Sequence, residues 1–210
     1  LWAADAAAKD EITAAAKKLD SQSNYSWRTT VVVPESAQFK PGPTEGKTEK
    51  DGFTYVEISF GDNITEVVKK GEKAVVTVEG EWKLASDVEN EEGFGRFLGT
   101  MAKNTKTPAA QLSGAVPLTK EWKKEGEVYS AELTAEGVKK QYRFGEPQNP
   151  KGGIKVWVKE GMPTKIEVKT EAKMEFKGNE FDAARTTTTE IKSVGTTKVT
   201  VPEGAKKKLS

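Results

Sequence analysis

The side chains that could carry out chemistry are mostly carboxylates and lysines, and they form few compact groups. The densest is the acidic stretch that contains Asp87 and Glu89-Asn-Glu-Glu92. Paired carboxylates can act as general acid and base, but that role requires a pocket or a perturbed pKa. The chain has no cysteine and no histidine. It therefore lacks cysteine–zinc sites, imidazole bases and histidine-assisted nucleophiles, and we expect a protein that is not an enzyme.

The remaining motifs do not predict a cofactor, a metal or a nucleic acid. Gly93-Phe-Gly-Arg-Phe-Leu-Gly99 misses the third glycine of a dinucleotide fingerprint by one position and follows an acidic stretch, not a strand. Asp62-Asn63 lacks the further ligands of a calcium loop. The one tight basic run is Lys206-Lys-Lys208, and the net charge of +1 is too small for a general nucleic-acid binder.

Composition predicts a single domain that has a small hydrophobic core and does not span a membrane. The chain has 210 residues, of which 35% are hydrophobic and 31% are charged, and no apolar run reaches the ~18 residues that a membrane helix requires. Ala4-Asp5-Ala6 has the form that signal peptidase prefers. We therefore interpret residues 1–6 as a signal-peptide remnant or flexible start of an exported protein, and residues 7–210 as the single domain.

The C-terminal third contains a strict alternation of charged and uncharged residues, from Ile166 to Lys177. Such a pattern predicts a strand that lies half in water. The charged residues on one side predict a solvated outer face. Cross-strand ion pairs and protection from edge-to-edge aggregation are enough to explain these charges. The uncharged residues on the other side must pack against another part of the protein.

Helices and antiparallel strands are predicted to position this face, which gives an α+β fold with one large sheet. Residues 5–19 are alanine-rich and predict a helix whose apolar stripe includes Ile12 and Leu19. The capping box Ser86-Asp-Val-Glu89 predicts the start of a second helix. Tight turns predict hairpins at Asp51-Gly52, Glu79-Gly80, Glu160-Gly161 and Gly178-Asn179. The predicted strands are residues 25–33, 44–50, 53–60, 64–68, 74–78, 81–84, 118–124, 127–133, 154–158, 164–177, 181–191 and 197–201. Residues 134–142 and 203–209 are predicted as short helical segments, and 108–117 and 145–153 as irregular or loop.

Two interpretations of the uncharged face remain open. Helices could fill the core against it, since apolar and aromatic stripes usually belong to a core. Alternatively, the helices could form a loose lid over an apolar cavity of the kind that binds small molecules. The candidate ligand-binding residues on the sheet are Trp27, Val31, Val56, Ile58, Phe60, Val76, Trp157, Ile166, Val168, Met174 and Phe176. The candidate lid residues are Phe94, Phe97, Leu98 and Met101.

Two short passages resemble a known family. Val156-Trp-Val-Lys-Glu-Gly-Met-Pro-Thr-Lys-Ile-Glu-Val168 resembles a strand–turn–strand passage of the bacterial lipoprotein-localisation factor (LolA-like) superfamily, which includes the LppX-like lipid-binding lipoproteins. Val199-Thr-Val-Pro-Glu-Gly-Ala205 resembles the ending of such proteins. The resemblance implies an open, strongly curved antiparallel half-barrel covered on its concave face by helices. The uncharged face would then look into the cavity.

These observations lead to three functional hypotheses. The first is an exported, periplasmic, non-enzymatic protein that binds an apolar ligand such as a lipid or a lipoprotein acyl chain, with another envelope protein as a further partner. The alternative is an envelope interaction or sensor scaffold with the same fold and a filled core. The third is an enzyme, for which a pocket with two converging carboxylates would be required. An open cavity favours the first hypothesis and a filled core favours the second.

Overall fold

The computed structural model of the chain describes residues 2–37, 40–142, 145–176 and 179–210, with side chains at all of these positions except 2–5, 176 and 179. The helices are α1 (Trp2–Asp20), α2 (Ala85–Val88), α3 (Phe94–Asn104), α4 (Pro108–Ala115), α5 (Ala135–Lys139) and α6 (Glu203–Leu209), with a 3-10 turn at Val116–Leu118. The strands are β1 (Asn24–Val32), β2 (Thr44–Glu49), β3 (Thr54–Phe60), β4 (Asn63–Lys70), β5 (Lys73–Val78), β6 (Glu81–Leu84), β7 (Thr119–Glu125), β8 (Val128–Leu133), β9 (Gln148–Lys159), β10 (Met162–Phe176), β11 (Asn179–Asp182) and β12 (Arg185–Lys192).

The strands form a 12-stranded sheet in the order β6-β5-β4-β3-β2-β1-β12-β10-β9-β8-β7, with β11 paired to β10. Strands joined by tight turns are antiparallel neighbours, as hairpin geometry requires. Two of these turns have positive φ at both central residues, Glu79-Gly80 and Glu160-Gly161, which matches the twist of the flanking strands. The predicted antiparallel sheet with helices is confirmed, whereas its strong curvature and half-barrel form stay predictions.

Several boundaries differ from the predicted ones, each for a local reason. Residues 108–115 form α4 because Pro108 stands at its first turn, where no backbone donor is lost. The capping box does not start a long helix: α2 ends at Val88, and Gly93, with φ of 64°, precedes α3. Strand β9 begins at Gln148, inside the predicted loop. Helix α1 begins at Trp2 rather than at residue 5.

The strands predicted at residues 181–191 and 197–201 also differ from the structure. Residues 181–191 divide into β11 and β12, because Asp182 accepts a bond from the backbone of Ala184 and turns the chain. Residues 197–201 are not a strand. The backbone N–H groups of this segment are held by side chains instead: Thr197 donates to Asn24 Oδ1 at 2.6 Å and Val199 donates to Glu49 Oε1 at 3.0 Å. The predicted turn at Gly178-Asn179 includes Gly178, which lies outside the described residues.

The chain divides into two compact units, which we describe separately. Unit one takes in the described residues of Leu1–Asp20, Thr29–Pro41 and Pro108–Glu190. Unit two takes in Ser21–Arg28, Gly42–Thr107 and Ile191–Ser210. The predicted single domain over residues 7–210 and the signal-peptide remnant at residues 1–6 stay predictions. Among the described helices, none combines the length and the hydropathy of a bilayer-spanning segment.

In unit one, α1 packs against β7, β10 and α4. The predicted apolar stripe of this helix is confirmed, with Ile12 and Leu19 at 0% exposure and small alanines between them. At the edge of this contact, Lys124 Nζ donates to Glu11 Oε2 at 2.6 Å and the Tyr129 hydroxyl donates to the same carboxylate. These bonds, the one from Lys124 first, lower the pKa of Glu11. The carboxylate therefore fixes α1 on the strands in its ionised form.

In unit two, the sheet is apolar on both faces. The consecutive valines Val67 and Val68 in β4 and Val75 and Val76 in β5 all have 0% exposure, although successive side chains of a strand point to opposite faces. On one face, Val68 and Val75 pack with Val201, Ala205 and Leu209, which places α6 over them. The predicted polar outer face therefore does not extend through this unit, because the C-terminal helix covers it.

Tyr55 lies beside this α6-covered cluster and titrates abnormally. Its hydroxyl donates to Glu57 Oε1 at 3.0 Å and to Glu66 Oε1. Burial first, and then these two carboxylates, raise the pKa of Tyr55 above its ordinary value of 10.0. The folded protein thus holds this proton more tightly than the unfolded chain does, and the contribution to stability is fully present below pH ~10 and lost as the pH rises further.

We expect Tyr55→Phe to remove this alkaline sensitivity. The variant should be less stable than the wild type at neutral pH, since it loses the hydroxyl's bonds to Glu57 and Glu66. Above pH ~10 the melting temperatures of the two proteins should converge, because only the wild type loses the tyrosine proton. Melting curves between neutral pH and strong alkali test this. Parallel curves at all pH values would contradict the assignment.

Candidate functional site

Five predicted ligand-binding residues lie on the second face of unit two, opposite the α6-covered face. The register aligns Val56 with Val67 and Val67 with Val76 across three strands, and Ile58 and Phe60 follow Val56 on the same side of β3. Trp27 of β1 lies over Gly46, where a Cβ would stand 2.1 Å from the indole ring. Gly46 is paired with Val56, so the structure brings these five residues to one face.

Helix α3 covers this face with the predicted lid residues. Leu98 and Met101 are buried, with 4% and 2% exposure. The rings of Phe94 and Phe97 are stacked with centroids 5.6 Å apart, and both meet the edge of Phe60, at 6.2 and 5.9 Å. Phe94 nevertheless remains 62% exposed. The three phenylalanines, called here the aromatic cluster, thus combine a covered inner side with an open outer side.

Polar contacts hold the end of α3 in place. Lys69 Nζ donates to the carbonyl oxygens of Lys103 and Thr105, each at 2.9 Å. Burial of this ammonium lowers the pKa of Lys69, as desolvation of a cation requires. Lys103 in turn pairs with Glu89. The C-terminal end of the helix is therefore fixed by charge-assisted bonds, whereas its N-terminal end is held mainly by the aromatic cluster.

Four further predicted residues lie on the uncharged face of unit one. Ile166 and Val168 are paired with Val156 and Ile154 of β9, and Ile166 and Met174 have 7% and 8% exposure. Val31 is half-buried and lies on the same side of β1 as Thr29, whose hydroxyl bonds that of Thr189 at 2.9 Å. The predicted alternation of β10 is confirmed. The side chain of Phe176 lies outside the described part of the chain.

Trp157 is not on this face, and its predicted placement is wrong. It stands opposite Lys165 in the register, and the Lys165 ammonium lies 3.8 Å from the centroid of its ring. In β9 it alternates with buried Val156 and shares its side with exposed Lys155 and Lys159. The aromatic ring therefore lies on the charged face, the side of the sheet that carries Glu167, Lys169, Glu171 and Lys173, where a cation–π contact stabilises it.

The charged face of unit one contains a concavity that the sequence analysis missed. A groove of about 670 Å³ lies over strands β7 to β10, lined by charged side chains and by Ser130 and Gly153. A second concavity, also of about 670 Å³, lies beside Val32 and Pro34. The pair Gly152-Gly153 could have indicated the groove over β7 to β10, because a glycine inside a strand has no side chain to fill the space above it.

The acidic side chains of the described residues do not form a metal-binding group. Among them, no group of three or more aspartate and glutamate side chains is close enough to hold an ion. The carboxylates of Glu89 and Glu91 pair with Lys103 and Lys83, respectively. They serve to link α2, α3 and β6 in unit two.

The chain has an LppX-like fold, which the resemblance in the sequence also implied. The chain is similar to the lipoprotein LppX from Mycobacterium tuberculosis, with a TM-score of 0.54, 7% identity, and coverage of 91% of this chain and 96% of LppX. It is also similar to LprF from Mycobacterium bovis, with a TM-score of 0.51, 9% identity, and coverage of 95% and 97%. No family model and no curated protein matches the sequence.

Proposed function

We propose that this chain is an exported, non-enzymatic protein that binds an apolar ligand such as a lipid or a lipoprotein acyl chain. The observation that carries the proposal is the aromatic cluster. Phe94 remains 62% exposed although its ring contacts Phe60 and Phe97 over an apolar sheet face. Large exposed aromatic residues beside an apolar face are typical of ligand and lipid contacts.

The ligand would contact the aromatic cluster and the sheet residues beneath it. Ile58 and Phe60 are half-buried, so added apolar groups would remove further surface from water there. Burial of acyl carbons contributes about 0.8 kcal/mol per CH₂. After the costs of association, a partly enclosed chain would reach the ~8 kcal/mol of micromolar binding. Val31, Ile166, Val168 and Met174 are proposed as contacts on the uncharged face of unit one.

A second candidate function is an envelope interaction or sensor scaffold with a filled core. The observation that favours it is the burial of the inner part of the unit-two face, where Trp27, Val56 and Val76 have at most 2% exposure. Helix α3, in which Leu98 and Met101 are buried, packs against β5, the strand of Val76. A face that is already covered offers less new burial to a ligand, and the same fold would then present its surface to a protein partner.

The test is lipid binding by the purified protein and by a matched pair of variants. Organic extraction followed by mass spectrometry should identify a co-purified lipid, and a fluorescent fatty-acid probe should bind. We expect Phe94→Asp to weaken probe binding about tenfold or more, since one phenylalanine contact contributes ~1.5–3 kcal/mol. Ile64→Asp is the control, because Ile64 is 64% exposed, close to the 62% of Phe94, and lies on the other side of the sheet.

The outcomes separate the two candidates. Loss of binding in Phe94→Asp with normal binding in Ile64→Asp supports the ligand-binding protein. Neither lipid nor probe binding in the wild type would reject it and favour the scaffold. Equal losses in both variants would show that the aromatic cluster is not the contact.

Export is proposed on the sequence pattern Ala4-Asp5-Ala6 and is supported by the likeness to LppX, which is named as a lipoprotein. Cell fractionation of the native protein tests it. We expect the protein in the periplasmic or extracellular fraction. Recovery in the cytoplasmic fraction alone would contradict the proposed location.

A further inference from the structure

The groove on the charged face of unit one places three potential anion contacts in one row. Lys123 of β7 is paired with Ser130 of β8, and Ser130 is paired with Lys155 of β9. All three line the groove of about 670 Å³. Because neighbouring strands are ~4.8 Å apart, the two lysines flank the serine at equal spacing, and their long side chains can reach over its hydroxyl.

Gly153 makes the hollow beside this row. It is paired with Glu132 on one side and Lys169 on the other, at a position where each neighbouring strand carries a long charged side chain. A Cβ at Gly153 would come no nearer than 3.3 Å, to the carbonyl oxygen of Ala131. The hollow thus arises because one side chain is missing from an otherwise continuous charged face.

The charges around the hollow are only partly compensated. Lys120 pairs with Glu132 at 2.7 Å, and Lys169 pairs with Glu171 at 2.9 Å. In the part of the chain that the structure describes, Lys123, Lys155 and the Ser130 hydroxyl make no hydrogen bond or ion pair. The pKa of Glu132 is lowered by its hydrogen bond from Lys120 and also, at longer range, by the charge of Lys123.

Lys151, Glu121 and Glu167 also line the groove without such a partner. The unpaired lysines therefore outnumber the unpaired carboxylates, and Glu167 stands across the register from Lys155.

We propose that this groove binds a phosphate-bearing anion, held by the ammonium groups of Lys123 and Lys155 and by the hydroxyl of Ser130. Lysine ammonium groups and a hydroxyl are ordinary donors to phosphate oxygens. A tetrahedral phosphate can accept from three directions, whereas a planar carboxylate offers two oxygens. The volume of the groove exceeds that of a phosphate, so the group would belong either to a lipid headgroup or to a soluble phosphate compound.

The site is independent of the proposed apolar ligand, since it lies on the opposite face of unit one from Ile166 and Met174. It also revises the expectation that the charged face is only solvated. A charged face needs no ligand to be stable in water. What distinguishes this part of it is the coincidence of a hollow, an unpaired hydroxyl and two unpaired lysines in one register row.

The experiment measures binding of two probes to the full chain. Inorganic phosphate is titrated by calorimetry, and co-sedimentation is measured with vesicles of phosphatidylglycerol in phosphatidylcholine and of phosphatidylcholine alone. We expect Lys123→Gln with Lys155→Gln to weaken binding about fivefold, as two exposed charge contacts would. Glu167→Gln should strengthen it about twofold, because a repelling carboxylate beside Lys155 is removed.

The control is Lys50→Gln with Lys73→Gln, which removes the same charge from exposed lysines of unit two. Circular dichroism checks that all variants are folded. Binding of free phosphate that depends on Lys123 and Lys155 supports a soluble ligand, and binding of anionic vesicles alone with the same dependence supports a lipid headgroup. Absence of both, or equal losses in the two double variants, would overturn the proposal.

Discussion

Gly46→Ala is expected to destabilise the protein by about 3 kcal/mol, at the upper end of what overpacking usually costs. The added Cβ would lie 2.1 Å from two carbons of the Trp27 ring, far inside van der Waals contact. Trp27 is 2% exposed, so the indole has little room to move away. The free energy of unfolding, measured in urea, checks the prediction.

A second substitution and a control identify the cause. Trp27→Leu should recover part of the loss in the Gly46→Ala background, because the two residues are in contact and their effects do not add. Gly114→Ala is the control, since Gly114 lies in α4 with no atom within 4 Å of a new Cβ, and it should stabilise by ~0.5–1 kcal/mol. A Gly46→Ala variant as stable as the wild type would show that Trp27 is not packed on the strand.

Ala205→Asp is expected to cost about 4 kcal/mol, because it places an unpaired carboxylate in an apolar contact. Ala205 has 0% exposure and lies in the cluster with Val68 and Val75. Burial raises the pKa of such a carboxylate, so the variant should regain stability relative to the wild type as the pH falls. Unfolding in urea at neutral and acidic pH measures both effects.

Lys207→Asp introduces the same side chain on the exposed side of α6. It should cost less than ~1 kcal/mol, through the loss of a cation near the helix C-terminus. Because both variants place an aspartate in α6, the difference between their free energies of unfolding reports the effect of burial and not that of helix propensity. If Ala205→Asp were equally mild, α6 would not be a necessary cover of β4 and β5.

The parts of the fold that the sequence predicted are those in which one local pattern decides the structure. The alternation after Ile166 placed one face of β10 in water and the other in the core, and Glu79-Gly80 and Glu160-Gly161 placed hairpins. The α1 stripe was equally readable, because Ile12 and Leu19 share one side of a helix. Each of these signals is contained within a few residues.

The predictions failed where contacts between segments that are distant in the sequence determine the structure. The helix at Pro108 was missed because its alanines have no pattern of their own, and its buried residues Ala109 and Leu112 belong to a helix that packs against α1. Likewise, the α6 cover of unit two depends on residues 201–209 meeting β4 and β5, which no local pattern contains.

Trp157 shows a different kind of error in the candidate site. Its alternation with Val156 and its spacing from Lys155 already indicated the charged face, but its aromatic character suggested a core position. The spacing of Phe94 and Phe97 in the sequence indicates that they lie on one side of α3. The exposure of Phe94, by contrast, depends on where α3 lies on the sheet, and the sequence of the helix does not indicate that position.

The α6 cover also has a consequence for the order in which unit two can fold. Val68 and Val75 pack against Ala205 and Leu209, so residues 76–200 must be synthesised before this contact can form. At ~5–20 residues per second, that interval lasts on the order of ten seconds. Throughout it, one face of β4 and β5 lacks its cover, and such long-range contacts slow folding. The nascent chain would therefore rely on its charged residues, or on a chaperone, to avoid association through these valines.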